Sequence, residues 1–259
     1  MQPFIVIIPA RKASTRLPGK MLADLAGIPL VVRVAHRAAA SAATKVYVAT
    51  DDASIASAVR AHGIDVLMTR EDHPSGTDRL AESVSLLKLS DDDIVVNVQG
   101  DEPLIDPALI NQVAASLAQH PQAAMSTCAA PISEASSFFN PNIVKVVCDS
   151  TSHALYFSRA PIPWDRDALS QGSQVLSQGL PALHHIGLYS YRVHFLKIFP
   201  SLSRGVLESI ESLEQLRALE HGFKIAVHLT DRHPGPGVDT QADLDRVRQI
   251  LAKEGLTSG

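Results

Sequence analysis

The sequence predicts an α/β protein: a Rossmann-like, predominantly parallel sheet flanked by helices, with a smaller excursion of mixed β-structure that carries an extended arm. Three observations support this. Short β-rich runs alternate with longer helical patterns over the first hundred residues, which is typical of βαβ units. The runs are apolar throughout, as expected for strands buried on both faces. Beyond residue 123 the regular alternation stops, which indicates mixed strands.

The first part is predicted from its apolar periodicity. In chain order the elements are strand Phe4 to Ile8, helix Pro29 to Ala40, strand Val46 to Ala49, helix Ser54 to His62, strand Val66 to Met68, helix Thr77 to Leu87, strand Ile94 to Val98 and helix Pro107 to Gln119. Pro29 suits the start of a helix, because the first turn does not need its missing N–H. The loops after the carboxyl ends of these strands are where an open α/β sheet places its ligands.

The second part is less regular. Strands are predicted over Ala124 to Ala129, Val144 to Cys148, Ala154 to Phe157, His185 to Tyr191 and Ile225 to Leu229, and helices over Leu207 to His221 and Ala242 to Lys253. Between them, residues 160 to 182 are rich in Pro, Ser, Gln and Gly and hold the only tryptophan, Trp164. This composition predicts a long exposed loop, called the arm below, and not a separate domain.

Composition excludes several classes of protein. The chain has 259 residues, 46% of them hydrophobic, so it can bury a substantial core. A net charge of −4 gives no overall positive field for nucleic acid or anionic lipid. The apolar runs are far shorter than the roughly 18 residues of a membrane span, and Met1 runs straight into a strand, so we expect a cytoplasmic protein. Cys128 and Cys148 have no neighbouring ligand cluster, which argues against a zinc site.

The loop after the first strand is unusually basic. From Pro9 to Lys20 it carries four cations, Arg11, Lys12, Arg16 and Lys20, together with small residues that let a ligand approach the backbone. Several cations and close backbone N–H groups are what a polyphosphate requires. The loop lacks the P-loop pattern and the chain has no Gly-x-Gly-x-x-Gly. A solvated basic turn is the alternative, and we favour phosphate binding.

Two acidic residues, Asp101 and Asp239, are candidate metal ligands. Asp101 follows a buried strand and Gly100, so it projects at the carboxyl edge of the sheet, and Asp239 precedes the last predicted helix. Mg²⁺ prefers one or two carboxylates plus phosphate oxygens and water. From the residues alone, a turn acid for Asp101 and a helix cap or turn acid for Asp239 are the favoured explanations.

The segment Arg11-Lys12-Ala13-Ser14-Thr15-Arg16-Leu17-Pro18-Gly19-Lys20 resembles the signature of the sugar-activating nucleotidyltransferases. In detail the chain is similar to the family of 3-deoxy-manno-octulosonate (KDO) cytidylyltransferases. Further segments that carry the likeness are 49–52 (ATDD), 73–82 (HPSGTDRLAE), 97–103 (NVQGDEP) and 156–167 (YFSRAPIPWDRD). The likeness runs from Phe4 to about Leu251, nearly the whole chain.

The resemblance implies a reaction. The cytidylyl group of CTP passes to KDO, giving CMP-KDO and pyrophosphate for lipopolysaccharide biosynthesis, with Mg²⁺ as the cofactor. It also implies a homodimer, for which the arm is the expected contact, and no nucleic-acid or membrane partner. We expect one domain over residues 1–259, with a nucleotide-binding part at about 1–120 and a sugar-binding and dimerisation part at about 121–240.

The resemblance also implies roles for individual residues. Catalytic roles fall on Arg11, Lys20, Asp101 and Asp239, the last two as metal ligands. Nucleotide contacts are implied for Pro9, Ala10, Arg11, Arg16, Lys20, Ser75, Gly76, Thr77, Arg79, Gln99 and Asp101. Sugar contacts are implied for Gln99, Arg166, His185, Tyr189, Glu214 and Gln215. Bland alternatives exist: Ser75 to Thr77 can simply cap a helix, and His185 can be a core histidine.

Three rival functions remain open on the sequence. A related transferase would use another keto acid, such as a sialic acid or an amino derivative of KDO. A non-catalytic nucleotide-sensing module would keep the basic loop, although retention of Lys20, Asp101 and Asp239 argues against it. A glycosyltransferase would carry an Asp-x-Asp motif after a strand, whereas the acidic run 91–93 precedes one.

Overall fold

The computed structural model describes residues 2–12, 14, 16–169, 175–232 and 235–253. The first part contains β1 (Phe4–Ala10), β2 (Asp24–Leu25), β3 (Ile28–Pro29), α1 (Leu30–Ala39), β4 (Lys45–Thr50), α2 (Ala53–Ala61), β5 (Asp65–Met68), α3 (Gly76–Leu86), β6 (Ile94–Asn97) and α4 (Pro107–Gln119). A single 3-10 turn, Lys20–Leu22, precedes β2. The strands and helices predicted for this region are all present, within two residues at each end.

The second part contains β7 (Ala123–Pro131), α5 (Ala135–Phe139), β8 (Lys145–Cys148), β9 (Ala154–Ser158), α6 (Arg166–Leu169), β10 (Leu183–Arg192), α7 (Val193–Ile198), α8 (Val206–Glu211), α9 (Gln215–Glu220), β11 (Lys224–Leu229) and α10 (Gln241–Lys253). The parallel strands with flanking helices confirm the predicted fold class. Within the described ranges, no helix has the length and apolarity needed to cross a membrane.

The chain divides into two compact units. The first consists of the described residues of Met1–Ala115, Ser190–Pro200 and Pro234–Gly259, and the second of those of Ser116–Tyr189 and Ser201–His233.

In the first unit, β1 is the central strand of a parallel sheet. It pairs with β6 on one side and β4 on the other, and β5 pairs with β4. The chain therefore builds β1, β4 and β5 outward in one direction and then returns to place β6 on the other side of β1. Strand order reverses between β1 and β6, and ligands of open α/β sheets bind at such a reversal.

The C-terminal helix α10 belongs to the first unit and packs on its N-terminal region. Leu244, Val247 and Leu251 lie three to four residues apart, so they share one face of α10 and are buried against Leu25 and Leu30. Leu25 lies on β2, in a tight hairpin with β3. This packing fixes the start of α10 at the same end of the unit as the loop after β1.

In the second unit the strands are mixed, as predicted. β7 and β11 run parallel, from Ala123 paired with Lys224 to Ala129 paired with Leu229. β8 is antiparallel to both β9 and β10. The arm follows β9, and its described residues include the short helix α6; residues 170–174 lie outside the described ranges. Leu169 and Ala182 attach the arm to the unit by packing against Phe138.

One predicted helix, Leu207 to His221, is wrong as a continuous element. Ser212 adopts a left-handed conformation (φ 52°), which ends α8, and α9 begins at Gln215. The break lets α9 fold back so that Arg217 donates two hydrogen bonds, of 2.8 and 2.7 Å, to the buried carboxylate of Glu208. Glu211 and Gln215, which one continuous helix would place on the same face, therefore lie on separate helices.

Lys145 on β8 is a fully buried lysine with a structural role. Its ammonium group donates to three backbone carbonyls, those of Asn140 (3.0 Å), Ile143 (2.7 Å) and Arg159 (2.6 Å). These carbonyls belong to the loop before β8 and the loop after β9. Lys145 therefore links two loops that no β-ladder joins at this point.

Replacing Lys145 by methionine is expected to lower the free energy of unfolding by about 2 to 4 kcal/mol, because buried carbonyls that lose a donor are costly. Methionine fills the space of the aliphatic stem and cannot donate. Urea unfolding followed by circular dichroism measures the change. The matched control is Lys45→Met, since Lys45 is exposed and forms only a surface pair with Asp65 at 3.4 Å. Equal stability of the two variants would contradict the assigned role of Lys145.

Candidate active site

A cavity of ≈ 450 Å³ opens in the first unit where the strand order reverses. Its walls come from the loop after β1, the start of α3, the loop after β6 and the turn before α10. The lining residues are Pro9, Arg11, Ser14, Arg16, Lys20, Met21, His73, Pro74, Ser75, Gly76, Arg79, Gln99, Gly100, Asp101 and Asp239. Most of the residues implied for the nucleotide thus face one cavity. Ala10 and Thr77 do not line it and are buried beside it.

The two predicted metal ligands, Asp101 and Asp239, both contact Lys20. The ammonium nitrogen of Lys20 lies 2.7 Å from Oδ2 of Asp101 and 3.0 Å from Oδ1 of Asp239. The lysine side chain is only 8% exposed, whereas the carboxylates are 30% and 46% exposed. Burial alone would lower the pKa of Lys20, but the hydrogen bonds and charges of the two aspartates outweigh it and raise the pKa. Lys20 is therefore held as a cation at the cavity wall.

Backbone contacts bring these two acids together from distant parts of the chain. The N–H of Val238 donates to the carbonyl of Asp101 at 2.8 Å, which ties the turn before α10 to the loop after β6. Asp243 accepts from the N–H groups of Asp239 (3.2 Å) and Thr240 (2.9 Å), and its own N–H donates to the Thr240 hydroxyl. This reciprocal pattern is a capping box at the start of α10. It holds the backbone of Asp239 in place.

A third acid, Glu102, lies behind the pair. Burial, together with the charges of Asp101 and Asp239, raises the pKa of Glu102 to about 7, against the opposing charge of Lys20. A Cβ atom added at Gly237 would come within 3.0 Å of the Glu102 carboxylate, so glycine is what allows the turn before α10 to lie this close. The combined negative charge of Asp101, Glu102 and Asp239 therefore exceeds the single positive charge of Lys20.

The carboxylates of Asp101 and Asp239 suit a divalent cation that also binds a phosphorylated ligand. Over the described ranges, no group of three or more His, Cys, Asp or Glu side chains is arranged to hold a metal ion. Two carboxylates that converge on one positive charge are nevertheless present in Asp101 and Asp239. Mg²⁺ commonly takes one or two protein carboxylates and completes its shell with phosphate oxygens and water. The residues therefore fit Mg²⁺ together with a phosphorylated ligand.

The basic loop divides into two groups. Arg11, Arg16 and Lys20 line the cavity, and Arg16 lies 3.0 Å from Asp239. Lys12 does not line it: its ammonium pairs with Asp52 at 2.9 Å. Asp52 caps α2, and hydrogen bonds from the Ser54 hydroxyl and the Ile55 N–H, with Lys12, hold the pKa of Asp52 well below its usual range. Three of the four cations thus face the cavity. Ala13 and Thr15, also in this loop, lie outside the described residues.

The start of α3 forms the opposite wall. Ser75 caps the helix by accepting from the N–H of Asp78, so the predicted cap is present, and Ser75 and Gly76 also face the cavity. Arg79 reaches the wall from inside the protein, where it donates to the Thr69 hydroxyl and lies 3.3 Å from Asp51. This segment therefore serves both as a helix cap and as cavity wall.

Five lining residues were not predicted from the sequence: Ser14, Met21, His73, Pro74 and Gly100. Gly100 supports the cavity floor, because a Cβ there would lie 3.0 Å from the carbonyl oxygen of Pro9 and 3.1 Å from the sulfur of Met21. His73 is paired with Glu82. The signal for His73, Pro74 and Gly100 was available, since all three lie in segments that carry the family resemblance. Met21 follows the basic loop and had no such signal.

The residues implied for the sugar, apart from Gln99, lie in the second unit. The rings of His185 and Tyr189 are neighbours, with centroids 5.5 Å apart, and Phe157 meets His185 edge-on at 4.8 Å. Burial lowers the pKa of His185 to about 3, so its imidazole is neutral. The Gln215 side-chain nitrogen is buried without a hydrogen-bond partner in the described structure. Glu214 precedes α9, and Arg166 pairs with Asp167 on an exposed surface of the arm.

Comparisons with known proteins show the family of the chain. Residues 5–225 match the family model described as cytidylyltransferase. The structure is similar to a solved structure of CMP:2-keto-3-deoxy-manno-octonic acid synthetase complexed with CTP, with a TM-score of 0.88 and 39% sequence identity. The similarity covers 98% of this chain and 100% of that one. The chain therefore belongs to the cytidylyltransferase family and is a nucleotidyltransferase.

Proposed function

We propose that this enzyme transfers the cytidylyl group of CTP to KDO, giving CMP-KDO and pyrophosphate. The observation that carries the proposal is the convergence of Arg11, Lys20, Asp101 and Asp239 on one cavity where the strand order reverses. Nucleotide phosphates bind at such positions in open α/β sheets. The similar solved structure, that of a CMP:2-keto-3-deoxy-manno-octonic acid synthetase complexed with CTP, supports both the nucleotide and the acceptor.

The reaction is a displacement at phosphorus. The anomeric C2 hydroxyl of KDO attacks the α-phosphorus of CTP in line, the bond to the β-phosphate oxygen breaks, and pyrophosphate leaves. Arg11, Arg16 and Lys20 offset the negative charge that develops on the leaving group. Each such contact is expected to lower the barrier by about 2 to 4 kcal/mol, because fixed charges act strongly where water is excluded.

Magnesium is the proposed cofactor, and Asp101 and Asp239 are the residues that would hold it. When bound, it would lower the pKa of the attacking hydroxyl and neutralise charge on the departing pyrophosphate. Lys20 keeps the two carboxylates together, since both contact its ammonium group. The hydroxyl proton would then pass to solvent water, and no side-chain base would be required to remove it.

The acceptor is a sugar acid with one carboxylate and many hydroxyl groups. We assign it to Gln99, Arg166, His185, Tyr189, Glu214 and Gln215. The side chain of Arg166 is 92% exposed, and its guanidinium suits the carboxylate, since arginine binds carboxylates through two parallel hydrogen bonds. The unpartnered Gln215 nitrogen supports the assignment, because buried donors are normally hydrogen-bonded and a sugar hydroxyl would satisfy this one.

We further propose that the enzyme works in the cytoplasm as a homodimer that supplies lipopolysaccharide biosynthesis. The exposed Trp164 and Val175, which are 53% and 72% accessible, lie in the arm and support subunit contact there. Exposed aromatic side chains such as tryptophan are enriched at protein–protein interfaces.

The test is pyrophosphate release from the purified protein with CTP, Mg²⁺ and KDO. We expect turnover with KDO, none without an acceptor, and at most weak turnover when CTP is replaced by UTP or ATP. Parallel reactions with 8-amino-KDO and N-acetylneuraminate address the rival acceptors. Higher kcat/KM with either of them would contradict KDO as the substrate, and absence of pyrophosphate with every keto acid would contradict the transferase assignment.

A further inference from the structure

Thr127 on β7 is a fully buried hydroxyl in a strand that is otherwise mostly apolar. Its Oγ1 atom lies 3.0 Å from Nε2 of His185, 3.0 Å from the carbonyl oxygen of Ile186 and 2.8 Å from that of Leu188. A buried hydroxyl is costly unless it is hydrogen-bonded. Here it meets three possible partners, all on β10, although it has only one proton.

The chemistry of these three partners determines which of them accepts the hydroxyl proton of Thr127. A hydroxyl has one hydrogen to donate and can accept through its lone pairs, whereas a backbone carbonyl can only accept. If Thr127 donated to His185, its lone pairs would face two carbonyl oxygens at 2.8 and 3.0 Å with no hydrogen between them. Thr127 therefore donates to the carbonyls of β10, and His185 must donate its Nε2–H to Thr127.

The other ring nitrogen of His185 is left as an acceptor. Burial lowers the pKa of His185 to about 3, with a contribution from His184, so the ring carries a single proton at neutral pH. With that proton on Nε2, Nδ1 is bare. Among the described residues, the hydrogen bond of the His185 ring is the one that Nε2 makes with Thr127, and Phe157 and Tyr189 lie with their rings 4.8 and 5.5 Å from the imidazole.

We propose that Thr127 is a positioning residue: it fixes the Nε2–H tautomer of His185 so that Nδ1 accepts a hydrogen bond from a hydroxyl group of the sugar acid. This inference rests on the proposed function, in which His185 binds the acceptor. Thr127 itself touches no substrate. Its hydrogen bond to Nε2 leaves Nδ1 as the acceptor nitrogen of the imidazole. The site therefore favours a ligand that donates a hydrogen bond to Nδ1.

The first measurement is the tautomer of His185. In a two-bond ¹H–¹⁵N correlation spectrum of protein labelled with ¹⁵N-histidine, the His185 signals are assigned by their loss in His185→Gln. The wild type is expected to show a protonated Nε2 and a bare Nδ1. Thr127→Val, which has nearly the same shape and no hydroxyl, is expected to shift the ring toward Nδ1–H. A wild-type ring that carries its proton on Nδ1 overturns the proposal, and this arm needs no variant of Thr127.

The second measurement is steady-state kinetics. Thr127→Val is expected to raise KM for KDO about tenfold, the loss of one hydrogen bond, with kcat and KM for CTP within about twofold. Thr127→Ser keeps the hydroxyl and should restore both the tautomer and KM. Ser126→Ala is the matched control: it removes a neighbouring buried hydroxyl on the opposite face of β7 and should change neither. An unchanged KM for KDO in Thr127→Val, or an equal rise in Thr127→Ser, overturns the proposal.

The two failures are distinguishable. If the wild type releases no pyrophosphate with KDO, the proposed function fails, whatever the tautomer of His185. If the wild type turns over KDO but the spectrum places the proton on Nδ1, the proposed function stands and the role of Thr127 is wrong.

Discussion

Replacement of Asp101 by asparagine is expected to lower kcat by about 1000-fold or more, because several kcal/mol of charge stabilisation at the reacting phosphate depend on the carboxylates that hold the cation. Asparagine keeps the shape of the side chain and removes its charge. The fold is expected to survive, since Asp101 is partly exposed and Lys20 retains Asp239 as a partner. Pyrophosphate release under saturating CTP and KDO measures the loss.

The control for this variant is Asp65→Asn, which removes an exposed acid on β5 paired only with Lys45 at the surface. It should leave kcat unchanged. Thermal unfolding should place both variants near the wild type. Asp101→Asn with kcat within tenfold of the wild type would remove Asp101 from the catalytic groups.

Replacement of Lys20 by methionine is expected to cause the second large loss of activity. Lys20 lines the cavity, is almost fully buried, and is held as a cation by two acids. We expect the barrier to rise by about 2 to 4 kcal/mol, a loss of roughly 30- to 1000-fold in kcat/KM. The loss combines a missing charge opposite the leaving pyrophosphate with two carboxylates that no longer share a partner.

Lys12→Met provides a matched control from the same loop. Lys12 lies eight positions earlier and pairs with Asp52 away from the cavity wall, so kcat/KM should fall by no more than about twofold. Steady-state kinetics with varied CTP compares the two variants. Similar losses in both would mean that the loop acts through its overall charge, and the specific role of Lys20 would be wrong.

Most of the fold could be predicted because its strands are buried on both faces. β1 and β6 are apolar at nearly every position, and such runs between helical patterns leave few alternatives. Helix α4 was predicted with its observed bounds. The break at Ser212 could not be predicted, because no Gly or Pro marks it and the gain comes from the ion pair between Glu208 and Arg217, two residues that only tertiary folding joins.

The site was predictable in part, for a physical reason. Local sequence indicates which groups stand at the end of a strand, as for Arg11 and Asp101. It does not indicate that Asp239 reaches Lys20, which is 219 positions earlier, since that depends on the packing of α10 on the β2–β3 hairpin. Nor does it distinguish Lys12 from Lys20, because the partner of Lys12 is an acid that follows another strand.

A crystal structure of the protein with CTP and Mg²⁺ would show whether one cavity gathers the basic loop and the two acids around a triphosphate. We expect the triphosphate in the cavity at the carboxyl ends of β1 and β6, with its oxygens at about 2.7 to 3.2 Å from Lys20 and Arg11 and a Mg²⁺ ion bound by both Asp101 and Asp239. A nucleotide bound at another place, or a metal ion that contacts neither aspartate, would contradict it.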